Sequence, residues 1–416
     1  MQSPGRATNC PGHGDTLTIE PFLEPSVPLS RLVVPKLVRQ SPVHDWFVFP
    51  HSFAPALVAD VVRTLKVPLD SVVADCFVGS GTTAVAAQTL GFRPFATDLM
   101  PIACLATRVK TTAFDVRQLR ALAASFRSRA DPGAHVDRFN SVTAAFSGEQ
   151  LDELDGIVGW AGTLEPVVAD FFRLALGAAI EPHSRLKKAG GWLKAVDCPA
   201  EVGPITPTFL ARVEAMASAL DGRPAPRHGA RVELADARAL PWEDASVALA
   251  LTSPPYLNKH DYTRVFCLEL AVACGMSWAD IKKLRHGTLR SHVEAHEPPD
   301  ETQAPFAFAD EWIAAAGDHL DDRLPRLIRG YFRDMGEVLK QLHRVVVPGG
   351  HIVLVVGDVR FAGSVLPVAD FLSRVAEELG LERVGMQVAR HRGNSAQQMK
   401  EHGRVGVPEW ILAWRR

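Results

Sequence analysis

Asp75-Cys76-Phe77-Val78-Gly79-Ser80-Gly81-Thr82-Thr83 is a glycine turn set between a strand and a helix. Before it, Ser71-Val72-Val73-Ala74 is a short run of β-favouring apolar residues that ends at an acid; after it, Ala84-Val85-Ala86-Ala87-Gln88-Thr89-Leu90 continues as good helix formers. Gly79 and Gly81 can take positive φ and admit a ligand to the backbone where a side chain would block it. Asp75, at the strand end, can accept a hydrogen bond from a cationic amine. A second apolar run, Arg93-Pro94-Phe95-Ala96-Thr97-Asp98, closes on another acid. Its spacing is that at which a βαβ nucleotide fold places a ribose-binding carboxylate, which makes Asp98 the candidate for ribose hydroxyls. The turn lacks the three-glycine spacing that seats a pyrophosphate on a helix N-terminus, so a nicotinamide-dependent dehydrogenase is disfavoured.

Much later, Ser246-Val247-Ala248-Leu249-Ala250-Leu251-Thr252 reads as another strand, and Ser253-Pro254-Pro255-Tyr256 follows at its carboxyl end. That edge of an open α/β sheet is where ligands bind. Consecutive prolines fix φ and lack amide hydrogens, so Pro254 and Pro255 make a stiff loop whose carbonyls are free to accept. Tyr256 then offers an aromatic face. The amine of cytosine or adenine is a poor nucleophile because its lone pair is delocalised into the ring; two acceptors gripping its hydrogens would move the nitrogen towards tetrahedral geometry.

Together the two segments resemble the paired signatures of the S-adenosylmethionine-dependent DNA methyltransferases that modify exocyclic amines. The first is similar to Asp-Pro-Phe-x-Gly-Ser-Gly-Thr-Thr, with Cys76 standing where that family usually has proline. The resemblance implies S-adenosylmethionine as cofactor, which has no phosphates to cradle. It implies that the Ser253 side chain and the Pro254 carbonyl accept from the target amine while Tyr256 stacks on the base. It also implies Phe77, Ser80, Thr82 and Thr83 as cofactor contacts beside Asp75, Gly79, Gly81 and Asp98. Val232-Glu233-Leu234-Ala235-Asp236 resembles the motif whose carboxylate meets the cofactor's adenine amine. Upstream, His44-Asp45-Trp46-Phe47-Val48-Phe49-Pro50-His51-Ser52-Phe53 resembles the N-terminal motif beside the methionine end, with Phe53 as the contact. In the family, serine at the first loop position leans towards N4-cytosine methylation and aspartate towards N6-adenine. Catalysis would rest on alignment and electrostatics, with no cysteine nucleophile.

The 416 residues are 47% hydrophobic, enough for a large core. No apolar stretch is long enough to span a bilayer and no secretion signal is legible, so the expected location is the cytoplasm. Cys10, Cys76, Cys104, Cys198, Cys267 and Cys274 are scattered without metal-ligand spacing and read as reduced; no metal is expected. Cys10-Pro11-Gly12-His13 could be half of a metal site, but no second half follows. A net charge of −2 carries no global nucleic-acid signal, so DNA binding requires local basic patches. Three exist: Arg185, Lys187, Lys188 and Lys194 around Gly191-Trp192-Leu193; Lys282, Lys283, Arg285, His286, Arg290 and His292; and Arg390, His391, Arg392, Lys400, His402 and Arg404. Each is equally compatible with an ordinary solvated face. The second follows the catalytic loop, and Lys259, Lys282, Lys283, Arg285, Arg290 and Arg392 are the candidate phosphate contacts.

Strands alternating with helices imply an α/β, Rossmann-like methyltransferase fold, mostly parallel, with an antiparallel terminal strand at Trp410-Ile411-Leu412-Ala413-Trp414 and largely helical insertions. The expected organisation is an extended N-terminal arm (1–45), a catalytic core (46–112 and 228–416), a mainly helical insertion (113–227) and a second insertion within the core (259–324). Either insertion is a candidate DNA reader. The leading functional expectation is a site-specific N4-cytosine methyltransferase on double-stranded DNA that flips its target base, with a cognate restriction nuclease as a further partner class. The alternatives are an N6-adenine DNA enzyme, an RNA base-amine methyltransferase and a non-catalytic nucleic-acid-binding module.

Overall fold

In the computed structural model, residues 21–126, 135–189, 191–196, 203–257, 260–295, 306–317, 320–361, 363–393 and 406–416 are described. Their centre is a seven-stranded sheet built from β1 (Val72–Asp75), β2 (Arg93–Asp98), β3 (Arg231–Leu234), β4 (Val247–Thr252), β5 (Val346–Gly357), β6 (Glu382–Arg392) and β7 (Val407–Arg415). The order across the sheet is β3-β2-β1-β4-β5-β7-β6. β3 to β5 are parallel; β7 runs antiparallel to both β5 and β6, with Trp410 opposite Val356. The expected antiparallel final pair is thus present, and the order reverses direction between β1 and β4, where an open α/β sheet leaves a crevice at its carboxyl edge.

Period-two alternation explains why this sheet is buried on both faces. Val73, Leu249, Leu251, Val353 and Val355 face one way and pack with α1 (Pro55–Thr64). Ala74, Ala250, Ile352, Leu354 and Val356 face the other way, against α4 (Leu324–Val345) and α5 (Val368–Glu378). The glycine turn leads into α2 (Thr82–Thr89), and β2 leads into α3 (Pro101–Thr111), which starts on proline as helices commonly do.

Residues 113–227 contain helices Val116–Ser125, Asn140–Ala145, Gly148–Gly162, Pro166–Ala179 and Ile205–Ser218. They also contain an antiparallel hairpin, Leu186–Ala189 with Trp192–Ala195, which helical periodicity did not foresee. The two expected insertions are not independent. Val265, Phe266, Leu268 and Leu270, on the turns after the Ser253–Tyr256 loop, share one apolar cluster with Phe171, Phe172 and Phe209. Residues 21–45 are likewise not a free extended arm: they form short helical turns, and Leu23, Leu32 and Val33 join the cluster under α1.

No described helix is long and apolar enough to cross a membrane. Lys259, Lys400, His402, Arg404, Cys10, His13 and Cys198 lie outside the described residues.

Candidate active site

The carboxyl ends of β1, β2 and β4 border one open cavity of about 1060 Å³, its mouth included. Its lining includes Phe53, Asp75, Phe77, Gly79, Ser80, Thr82, Asp98 and Asp236, together with Ser253, Pro254, Pro255 and Tyr256. The fold therefore brings two motifs that lie far apart in the chain to a single site.

Gly79 has φ +49 and donates its amide to Asp98 Oδ2 at 2.9 Å, while Met100 N donates to Oδ1 at 2.9 Å. Asp98 is thereby aimed by two backbone amides. Burial nevertheless pushes its carboxyl up to about 6. Asp75 is also raised to about 6 by burial, against the hydrogen bonds from Thr252 Oγ1 (2.5 Å), Thr83 Oγ1 (2.7 Å) and Phe77 N (3.1 Å). Asp236 borders the cavity, yet both of its oxygens accept from Arg238, the shorter contact being 2.7 Å.

Two expected cofactor contacts are displaced from the cavity. Thr83 is fully buried behind the wall, where its hydroxyl serves Asp75, so it acts through that carboxylate. Gly81 has φ +84 at the start of α2, and a Cβ there would lie 2.8 Å from Thr107 Oγ1. Its glycine character answers helix packing rather than ligand approach.

In the proline loop, Ser253 donates its hydroxyl hydrogen to the Val355 carbonyl at 3.0 Å. Tyr256 is 6% exposed; its hydroxyl donates to the buried Glu409 at 2.8 Å, and Glu409 pairs in turn with Arg390. The Arg392 guanidinium lies 4.9 Å from the Tyr256 ring centre and donates to the Asp358 carbonyl at 2.6 Å. His51 stacks near the same ring at 5.7 Å.

The expected phosphate contacts divide. Lys282 and Lys283 are exposed. Arg285 is instead internal, paired with Asp261 at 2.9 Å, and Arg290 pairs with the buried Asp334 at 2.7 Å. Arg290, through its guanidinium and its amide, anchors on Asp334 the segment Thr288–His292, which supplies further cavity wall through Thr288, Leu289, Ser291 and His292. Arg392 is half-buried against Tyr256 rather than splayed on the surface.

Sequence reasoning passed over Phe49, His51, Ser52, His260 and Tyr262, all of which border the cavity. His51 and Ser52 lie in the quoted N-terminal motif, and His260 and Tyr262 follow closely on the Ser253–Tyr256 loop, so adjacency was the available signal. Lys110 had none. Fully buried in α3, it donates to the carbonyls of His44 (3.0 Å), Phe47 (2.6 Å) and Ser80 (2.7 Å), tying the N-terminal segment to the glycine turn. Burial draws its ammonium down to about 7. Ser52 and Ser80 share a second tie, hydroxyl to hydroxyl at 2.7 Å. Among the described residues no His, Cys, Asp and Glu group could hold a metal ion.

No family model matches the chain. The type II methyltransferase M.BsoBI of Geobacillus stearothermophilus is 24% identical over 452 residues, spanning 93% of this protein and 88% of the relative. The type II methyltransferase M.AvaI of Nostoc sp. is 35% identical over 182 residues, 40% of this protein and 37% of the relative. Of solved structures, a DNA modification methylase described as putative, from Thermus thermophilus with S-adenosylmethionine bound, is 21% identical over 44% of this chain and 53% of its own, with a TM-score of 0.23. The geranyl diphosphate C-methyltransferase of Streptomyces coelicolor A3(2) covers 95% of this chain and 88% of its own at 8% identity and a TM-score of 0.33. This chain has the Rossmann-like methyltransferase fold and, over nearly its whole length, is similar to a type II methyltransferase.

Proposed function

We propose that this protein transfers a methyl group from S-adenosylmethionine to the exocyclic N4 amine of cytosine at specific sites in double-stranded DNA, with the base turned out of the helix. The state of Ser253 carries the reading. Its hydroxyl hydrogen is committed to Val355, so the atom it presents to the cavity is an acceptor. A base amine has two hydrogens to give: Ser253 Oγ takes one and the Pro254 carbonyl the other, which localises the nitrogen lone pair. Tyr256, its hydroxyl anchored on Glu409, presents its ring for stacking. No covalent enzyme intermediate is required, and the acceleration comes from alignment and fixed acceptors.

The cavity suits a cationic nucleoside ligand. Its described lining has three carboxylates, Asp75, Asp98 and Asp236, and neither lysine nor arginine, while Phe77, Leu99 and Met100 are apolar. A phosphate-bearing cofactor would meet no compensating charge there. Asp98 would hold the ribose hydroxyls, Asp236 the adenine amine, and Phe53, Phe77 and Gly79 would border the remainder. When bound, S-adenosylmethionine supplies an electrophilic methyl group on a sulfonium.

In the family that the loop resembles, serine at its first position leans towards cytosine N4 and aspartate towards adenine N6, and Ser253 supports the N4 reading on that ground. The type II methyltransferases found as relatives support DNA as substrate, with a cognate restriction nuclease as a partner. The test is incubation with methyl-labelled S-adenosylmethionine and mixed-sequence duplex DNA, then digestion to nucleosides and mass identification. N4-methylcytosine is expected. N6-methyladenine would replace the base, and label in RNA but not in DNA would replace the substrate. Ser253→Ala should keep cofactor affinity and lose roughly a hundredfold in kcat, the scale of removing one fixed transition-state partner.

A further inference from the structure

Residues 47–54 bring Phe49, His51, Ser52 and Phe53 to the border of the cavity, yet they form neither helix nor strand and join no ladder of the sheet. Backbone without ladder bonds is not held in place by its own hydrogen bonding, so this part of the wall has to be fastened from elsewhere. Apolar packing of Trp46, Phe47 and Phe49 supplies one share. The polar share converges on a single atom. Lys110 Nζ donates to the carbonyls of His44 and Phe47, at the start of this stretch, and to that of Ser80, in the glycine turn. An ammonium has three hydrogens, and all are spent here. The hydroxyls of Ser52 and Ser80, 2.7 Å apart, join the same two pieces of chain a second time, and both residues border the cavity.

Packing does not account for a lysine at this position. Its side chain is buried, and among the described residues no carboxylate pairs with it; Asp45 favours its charge from a distance. Keeping an ammonium inside without a paired carboxylate is costly, and methionine would fill similar space with no charge to desolvate. What methionine cannot do is draw carbonyls from two separate pieces of chain to one point. Lys110 also sits on α3, whose Thr107 packs against Gly81 at the start of α2. The ammonium therefore ties the N-terminal segment to a glycine turn that α3 already abuts.

We propose that Lys110 is a positioning residue for the cofactor: it fixes residues 44–53 against the glycine turn, so that Phe49, His51, Ser52 and Phe53 stand ready as wall of the cavity that takes S-adenosylmethionine. The proposal rests on the reading of this cavity as the cofactor site. Lys110 touches neither cofactor nor base, and it acts through the carbonyls it holds. Without it the segment has to be ordered when the cofactor arrives, and the entropy of that ordering is subtracted from affinity. Binding is lost uniformly in such a case, which raises KM for the cofactor and leaves kcat at saturation.

The test uses the full chain, calorimetry with S-adenosylmethionine and steady-state kinetics on duplex DNA. Lys110→Met should weaken S-adenosylmethionine roughly thirtyfold, the scale of ordering a few residues on binding. Its kcat at saturating cofactor and its KM for DNA should stay within about threefold of wild type. Hydrogen exchange at residues 47–54 should quicken in the free variant and return to the wild-type rate once the cofactor saturates it. A merely structural role predicts instead that kcat and cofactor and DNA binding fall together with the folded fraction, and that result would overturn the proposal. So would wild-type cofactor affinity in folded Lys110→Met. Should that variant not fold, Ser52→Ala removes only the second tie and should raise KM for the cofactor roughly threefold with kcat unchanged; an unchanged KM there refutes the fastening. Wild-type protein that bound no S-adenosylmethionine would bring down the cofactor reading itself, and the wild-type titration shows this before any variant is compared.

Discussion

Tyr256 and Glu409 should be energetically coupled, and a double-mutant cycle measures by how much. Tyr256 is 6% exposed and Glu409 2%, and the hydroxyl donates to the carboxylate at 2.8 Å. Burial and the neighbouring carboxylate push the phenol well above its ordinary value, so it remains a donor wherever the protein is folded. A hydrogen bond to a charged acceptor is worth about 1.5–3 kcal/mol net. Tyr256→Phe leaves Glu409 paired with Arg390, whose side chain is 27% exposed and able to hydrate, so the expected cost is the lower part of that range, about 1.5 kcal/mol. Glu409→Gln keeps the shape and one acceptor but removes the charge from both neighbours, for a similar cost of about 1–2 kcal/mol. Because both changes weaken the same bond, the double variant should be more stable than the sum of the singles implies, by about 1 kcal/mol. Urea unfolding with unchanged slopes for all four proteins reads this directly. Additivity within about 0.3 kcal/mol would refute the coupling. The catalytic counterpart is a split between ring and hydroxyl: Tyr256→Phe keeps the stacking surface, whereas Tyr256→Ala forfeits about 1–3 kcal/mol of base stacking and should show the larger fall in kcat/KM.

Three further outcomes follow from the site. Asp75 and Asp98 sit near 6, raised by burial from an ordinary 3.8, so their contribution to stability in the free protein is fully present below 3.8 and lost as pH rises through about 6. A cationic ligand prefers the ionised carboxylates; its affinity should weaken as pH falls from about 7 to 5, with proton release in calorimetry, and a flat profile would detach these groups from the ligand. Gly81→Ala combines φ +84 with a Cβ 2.8 Å from Thr107 Oγ1, and should cost about 1–2 kcal/mol for the backbone alone plus the displacement of α3, seen as a lower unfolding midpoint. Arg285→Ala should destabilise the fold by about 2–3 kcal/mol, because it takes from the buried Asp261 the closer of its two guanidinium partners and leaves Arg264 at 3.4 Å, whereas Lys282→Ala and Lys283→Ala should leave thermal stability unchanged and reduce the salt slope of DNA binding; the reverse pattern would place the basic run differently.

What the linear chain determined is what short-range rules govern. An apolar run of period two ending in an acid, a glycine turn and a following helix belong to one local unit, so β1, the turn and α2 were legible from a few residues. The same holds for β4 and its proline loop, and for the closing strand at Trp410–Trp414. Short, charged or weakly periodic pieces were not legible. The hairpin Leu186–Ala195 is built from four-residue strands whose register shows only when Leu186 and Leu193 find the helical core.

Tertiary structure alone decided which polar groups face the cavity. Thr83 and Ser80 stand three residues apart in one motif, yet the helix turns the first behind the wall, onto Asp75, and leaves the second on the cavity's border. Arg285 and Lys283 share one basic run, but helical rotation sends the guanidinium inward to Asp261 and the ammonium outward to solvent. Glu409 and Lys110, the anchors behind Tyr256 and beneath the glycine turn, bond across 153 residues and across 30 to 66 residues respectively. Such partnerships have no signature in spacing. A buried charge takes whatever partner the packed chain brings within reach, and burial makes the absence of one too costly to persist.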